Sequence, residues 1–323
     1  MTKGVGFALS IKASISPNAA DGAPPAAASS LNTALGLVAI LFWSTTVACS
    51  RSLIEKLGMF TAAFLVYFAG AVVTAVITSA RPGTWRAMLA LPRAYLIVCG
   101  SLFGFYLVVL YAALGMASDR HATVVVGIIN YLWSPLTLVF AIPILKKKAR
   151  WTLYPGILLA LAGIVLALWK SDDSAADFLA HLRTDYIPYL LALAAAVAWA
   201  LYSDFSKRLG GDAHGAVPLF LLFASLLLGL IRLFRTEASA PWTAATAAEL
   251  AYMAICPAAA GYLFWDAAIR KGNLVLLAVL SYFIPICATF IAAFYLDVSL
   301  SPELWIGCVL VTVGAVVCRY SFR

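Results

Sequence analysis

The sequence predicts an all-α membrane protein whose ten transmembrane helices form two inverted five-helix repeats. Three observations lead there. The chain of 323 residues is 64% hydrophobic and 11% charged, with a mean hydropathy of +0.97, whereas soluble domains are about 45–50% apolar. Ten apolar stretches each approach the roughly 20 residues that a span requires. The first five stretches share marker residues, in the same order, with the last five.

In order, the stretches cover residues 33–50, 60–80, 94–117, 121–145, 152–169, 187–206, 216–234, 249–268, 273–296 and 303–319. They are apolar all round, unlike barrel strands, which alternate, and helices satisfy their own backbone in lipid. Residues 146–151 alone separate the fourth and fifth stretches, so a tight turn is expected there. Residues 1–30, with "SPNAADGAPPAAASS", read as a disordered tail. The preceding "KGVGFALSIK" is too short and polar-flanked for a signal peptide. The acidic outer loop "KSDDSAADFLAHLRTDYIP" then divides a first repeat, 31–172, from a second, 173–323, within one transmembrane domain.

With ten spans the loops alternate sides. Fifteen of the 22 Lys and Arg residues fall on one side and seven on the other. The basic side is cytoplasmic by the positive-inside rule, which places both termini on the cytoplasmic side. Topology accounts for the +8 net charge, and no nucleic-acid partner is needed. Cys49, Cys99, Cys256, Cys287, Cys308 and Cys318 lie in or beside apolar spans without CxxC spacing. They read as packing residues, with no disulfide framework, metal site or cofactor.

At an offset of 156, Trp43 falls on Trp199, Ser50 on Ser206, Arg51 on Lys207 and Leu53 on Leu209. "GILLALAGIVLAL" in the fifth span resembles "GCVLVTVGAVVCR" in the tenth, with Gly163 on Gly314, and Pro135 falls near Pro285. A unit of five spans is odd, so the second unit enters the membrane from the opposite side, the architecture of many secondary transporters. The Trp in the first helix of each half, the Pro in the fourth and the spaced glycines in the fifth resemble the drug/metabolite transporter superfamily, in its EamA-type ten-helix branch. Within it, residues 31–323 are similar to YddG-type aromatic amino acid exporters of the bacterial inner membrane. The resemblance implies the 5+5 inverted fold and export of aromatic and other amino acids by alternating access. A broad metabolite or drug exporter of the same superfamily is the alternative, and a channel or membrane scaffold is the alternative of another class.

Interrupted apolar segments at matching places of two repeats point to a midplane site. The fourth span, "VVVGIINYLWSPLTLVFAIPIL", holds Asn130, Tyr131, Trp133, Ser134 and Pro135, and the ninth holds Ser281, Tyr282 and Pro285. Each proline deletes a backbone hydrogen bond, and a polar cavity is expected to take the freed carbonyl. Pro135 and Pro285 are candidate hinges. Trp43 and Ser44 in the first span, and Trp199 and Tyr202 in the sixth, lie mid-span and not in the interfacial belts where membrane aromatics concentrate. Tyr106 and Tyr111 in the third span, with Tyr262 and Trp265 in the eighth, add polar tips to an apolar cavity. Together with Asn130, Tyr131, Trp133 and Tyr282 these eight form the candidate substrate-binding set, and ordinary packing is the competing explanation for each.

Asp204 with Lys207 and Arg208, and Asp266 with Arg270, have the spacing of ion pairs on one helical face. With no His or Lys at mid-span, uncoupled transport is expected. No phosphate-cradling loop, nucleophile motif or nucleotide domain stands in the sequence, so neither an enzyme nor an ATP-driven pump is expected. The expected partners are a small-molecule substrate and the lipid bilayer, and a monomer suffices.

Overall fold

The computed structural model describes residues 26–80, 82–169, 174–210, 216–237, 240–271 and 274–321. Most of the expected tail therefore lies outside the described residues, and the first helix is under way at Ala26. Ten helical spans follow. Spans 1 to 5 are Ala26–Ser44 continued by Thr46–Leu57, Met59–Ser79, Arg93–Met116, Arg120–Asn130 continued by Trp133–Leu145, and Leu153–Leu168. Spans 6 to 10 are Ala175–Gly210, Val217–Leu233, Ala244–Lys271, Leu274–Ser281 continued by Ile284–Leu296, and Pro302–Tyr320. Six helices are long and apolar enough to cross a bilayer singly and the bent first span is a seventh; shorter apolar helices complete the ten. The protein is a multi-pass membrane protein with ten helical spans among the described residues.

The packing of the halves is symmetric under their exchange. Span 3 lies on span 6 as span 8 lies on span 1, and span 4 lies on span 6 as span 9 lies on span 1. Spans 5 and 10 pack on each other, as do spans 2 and 7. The 5–10 contact shows the inversion directly. A Cβ on Gly163 would stand 2.6 Å from the Gly307 carbonyl oxygen, and one on Gly314 would stand 2.7 Å from that of Gly156. The contact advances along one helix as it recedes along the other, so these equivalent spans run antiparallel. Without a hydrophobic drive between helices in lipid, such close backbone approach at small residues is what holds them.

Spans 4 and 9 break at matching places. Tyr131 and Leu132 interrupt one, and Tyr282 and Phe283 the other. Each span ends in a left-handed residue, Lys146 and Asp297, both at φ 53°. On this register Pro285 falls opposite Ser134, one residue before Pro135. Both prolines sit in the first turn of the second half-helix, where a missing N–H leaves nothing unpaired. The Tyr131 carbonyl accepts from the Ser134 N–H at 3.2 Å. A local turn therefore takes up the freed carbonyl, where a polar cavity was expected to.

Three features depart from the expected outline. Span 1 bends by 41° at Thr45. Ser44 and Thr45 donate back to the carbonyls of Ile40 and Phe42, a competition with the helical ladder that bends helices. Span 8 widens into a π-helix over Ala254–Gly261 around Pro257, which absorbs the missing donor. The acidic loop between spans 5 and 6 is helical from Ala175 and joins span 6 through a single non-helical residue, Asp185. Its carboxylate accepts from the Ser118 N–H and hydroxyl at 2.9 and 2.7 Å, and Pro188 follows within a turn.

Candidate functional site

The mid-span aromatics of both halves meet between spans 1, 3, 6 and 8. Trp43 lies 5.4 Å, ring centre to ring centre, from both Tyr262 and Trp265. Trp199 lies 5.0 Å from Tyr202, 4.7 Å from Tyr106 and 6.3 Å from Tyr262. Tyr262 thus joins the ring sets that contain the two equivalent tryptophans. Interplanar angles between 35° and 58° across these contacts suit the quadrupoles of the rings better than face-to-face stacking. The Trp43 indole N–H donates to the Pro257 carbonyl at 3.3 Å. Gly261 makes room for that ring: a Cβ there would stand 2.9 Å from Nε1. The π-helix of span 8 therefore both supplies the acceptor and opens the space.

Sequence reasoning missed Phe103, which touches Trp199, Tyr202, Tyr262 and Phe220 and is 1% exposed. Its place three residues before Tyr106 on the same helix was the available signal. Pro257 was missed too, although a proline mid-span is the mark used for Pro135.

Asn130 ends the first half of span 4 and is 5% exposed. It stands beside the Tyr106 hydroxyl, at the edge of the rings. Its Oδ1 has no hydrogen-bond partner among the described residues. A buried acceptor left unpaired costs about 1–3 kcal/mol, so a ligand that donates to it gains what folding leaves unused.

The other expected residues fall elsewhere. Tyr131, Trp133 and Tyr282 line a small crevice between the breaks of spans 4 and 9, together with Ser134, Ser281 and Pro285. The Tyr282 hydroxyl bonds with Ser134 across that crevice. Tyr111 accepts from Ser50 at 3.1 Å and meets Tyr67 edge-on, away from the ring cluster. Ser44 is fully buried with its proton committed to Ile40. Asp204 is 3% exposed and one of its oxygens is unpaired among the described residues, so the expected ion pair with Lys207 or Arg208 does not account for it. The side chains of Asp266 and Arg270 lie outside the described residues.

At one end of the bundle, charges tie five spans together. Glu55 at the end of span 1 pairs with Arg51 and with Arg120 of span 4, both at 2.8 Å. Arg51 also donates to the carbonyls of Leu114 and Ala117 behind span 3, and Arg120 to that of Leu296 in span 9. Lys56 pairs at 2.6 Å with Glu249 of span 8, whose other oxygen accepts from the Tyr295 hydroxyl of span 9 at 2.7 Å.

Comparison with known proteins agrees with this architecture. The EamA-like transporter family matches residues 32–169 and again 186–320, one match per half. The aromatic amino acid exporter YddG of Salmonella typhimurium is 32% identical over 292 residues, covering 90% of this chain and 97% of that one. The aromatic amino acid exporter YddG of Escherichia coli is 30% identical over the same coverage. A crystal structure 27% identical in sequence superposes with a TM-score of 0.64 over 90% of this chain and 97% of its own. With the double match covering most of its length, this chain belongs to the EamA-like transporter family.

Proposed function

We propose that the protein is an inner-membrane exporter of amino acids, preferentially aromatic ones and related apolar metabolites, working by alternating access. The observation that carries this reading is the ring cluster built from Trp43 and Trp199, matching residues of the two repeats, with an unpaired buried amide at its edge. The rings suit an aromatic side chain, and the amide and phenol groups suit its polar end. The relatives that share the full length are exporters of aromatic amino acids by name, which supports the same substrate class here. The twelve aromatic and polar residues singled out above supply the substrate pathway, and Pro135 and Pro285 the hinges. The two repeats, 31–172 and 173–323, rock against each other as one transmembrane unit, with no catalytic step.

Both termini are cytoplasmic in this reading. Ten of the 14 acidic residues share a face with only seven cations, and on that face Arg51, Lys56, Arg120 and Arg232 each meet a carboxylate. The opposite, strongly basic face is then cytoplasmic, and the tie among spans 1, 3, 4, 8 and 9 is the closed periplasmic gate.

Counterflow in proteoliposomes with radiolabelled Phe, Trp, Thr, Ala and cysteine tests the proposal. Saturable exchange strongest for Phe and Trp is expected. Exchange that does not saturate would make the protein a channel, and none at all would remove transport of these substrates.

A further inference from the structure

We propose that Asn130 recognises the ammonium group of the amino acid, its Oδ1 accepting one N–H while Tyr106 fixes the orientation of the amide. The inference rests on the reading of the ring cluster as the substrate site and names the group that this end of the site selects.

Asn130 is the last residue of a half-helix whose preceding residues, Val124 to Ile129, are buried and apolar apart from Gly127. Packing alone would be met by another aliphatic side chain. An amide was placed there instead, 5% exposed, with its oxygen unpaired. Tyr106 stands beside this amide and its ring lies 4.7 Å from Trp199, so the amide stands next to the rings that would hold the side chain. The break after Asn130 also puts the carbonyl end of the half-helix here, the negative end of its dipole, which favours a cation. Tyr and Trp faces attract ammonium groups in the same sense.

Most of the described acids are engaged elsewhere, and Asp204, with one oxygen unpaired, lies past Tyr202 towards the Lys207 end of span 6 and not among the residues of the ring cluster. Glu55, Glu237 and Glu249 are in ion pairs at helix ends, Asp185 holds Ser118, and Asp119 caps span 4 at the Ala122 N–H. At the ring cluster a substrate cation is therefore met by neutral acceptors and π faces. This gives modest affinity and easy release, as an exporter of abundant metabolites requires.

The test uses purified full-length protein in detergent, with ligand-induced thermal shift and tryptophan quenching as readouts. The probes are L-phenylalanine, phenethylamine, which keeps only the ammonium, and 3-phenylpropionate, which keeps only the carboxylate. Wild type is expected to bind phenylalanine and phenethylamine, and phenylpropionate at least tenfold more weakly. Asn130→Leu, similar in volume and lacking the acceptor, should lose tenfold or more for both amines while its own melting temperature holds or rises. Asn130→Asp, able only to accept, should bind phenethylamine at least as well as wild type. Preference for phenylpropionate in wild type, or loss of amine binding in Asn130→Asp, would show that the amide donates to a carboxylate and would overturn the assignment. Unchanged amine affinity in Asn130→Leu would overturn it while leaving the ring cluster as the site. Failure of wild type to bind either amine would remove both readings together.

Discussion

Opening the proposed periplasmic gate by one substitution is the sharpest test of the alternating-access reading. Glu249 is 8% exposed and holds spans 1, 8 and 9 together through Lys56 and Tyr295. Glu249→Ala removes both contacts at once. Breaking a fully buried pair costs about 3–5 kcal/mol, and breaking a surface pair about 0–1 kcal/mol. The Lys56 side chain is 37% exposed and water takes it back after the change, so this pair falls between, at about 1.5–3 kcal/mol. Contacts made only with the gate closed bias the closed state by their whole worth. At about 1.4 kcal/mol per factor of ten, the open-outward population should rise roughly tenfold to a hundredfold.

Cys49 is a native reporter of that population. It lies on span 1 between the ring cluster at Trp43 and the gate at Arg51, and is 6% exposed. In a background with the other five cysteines replaced, an impermeant maleimide added to intact cells should label Cys49 at least tenfold faster in Glu249→Ala than in the parent. Lys56→Ala should act in the same direction but less, since the Tyr295 bond to Glu249 remains, and adding it to Glu249→Ala should change little, because the pair is already broken. Arg183→Ala, an exposed charge outside the gate, should change nothing. Equal labelling rates in Glu249→Ala and the parent would refute the assignment of this cluster as a gate.

Other expectations follow from single contacts. Gly163→Val should lower the melting temperature in detergent by several degrees or abolish assembly, because its Cβ would stand 2.6 Å from the Gly307 carbonyl and overpacking costs about 1–3 kcal/mol or more. Asp204→Asn should leave the melting temperature unchanged or raise it, since the carboxylate is buried with one oxygen unpaired and a charge there is costly; a clear loss of stability would restore the ion pair with Lys207 or Arg208. Trp199→Ala should weaken phenylalanine binding roughly tenfold, measured by competition in counterflow, through loss of its contacts with Tyr106, Tyr202 and Tyr262. Single cysteines at 174–184 should label from the periplasm and ones at 146–150 should not, the reverse pattern removing the proposed orientation.

What was legible in the sequence was what symmetry repeats. Trp43 and Trp199, the glycines of spans 5 and 10, and the interruptions of spans 4 and 9 each appear twice, and a pattern stated twice stands out from the chance likeness of apolar segments. What was missed occurs once. The π-helix around Pro257 has no counterpart in the regular span 3, and Phe103 gains its importance only from rings on three other spans. Charge pairs such as Lys56 with Glu249 join residues far apart in sequence, where spacing carries no signal. The helical stretch ahead of Asp185 reads as loop because its polarity suits water, and its helix is stabilised from outside by Ser118.

The same contrast between repeated and single features bears on the conformation. Span 1 bends at Thr45, two residues beyond Trp43, whereas span 6 runs on without a break past Trp199. Two inverted repeats that are equivalent in sequence differ in shape when one gate is closed and the other is not, since each gate belongs to the outer half of one repeat and the inner half of the other. The bend carries Thr46–Leu57 towards the cluster where Arg51, Glu55 and Lys56 find their partners. The Thr45 hydroxyl, 2.9 Å from that of Tyr252 on span 8, fixes the bend from the side. Span 6, unbent, brings Lys207 and Arg208 to no such partners among the described residues. We therefore read this conformation as closed to the periplasm with the cytoplasmic gate unlatched. Opening outwards then requires straightening span 1 at Thr45, and Thr45→Ala, which removes the hydroxyl's bonds to the Phe42 carbonyl and to Tyr252, should raise Cys49 labelling in the same direction as loss of Glu249. A Thr45→Ala protein whose Cys49 stays as protected as in the parent would place the moving joint elsewhere, at the breaks of spans 4 and 9.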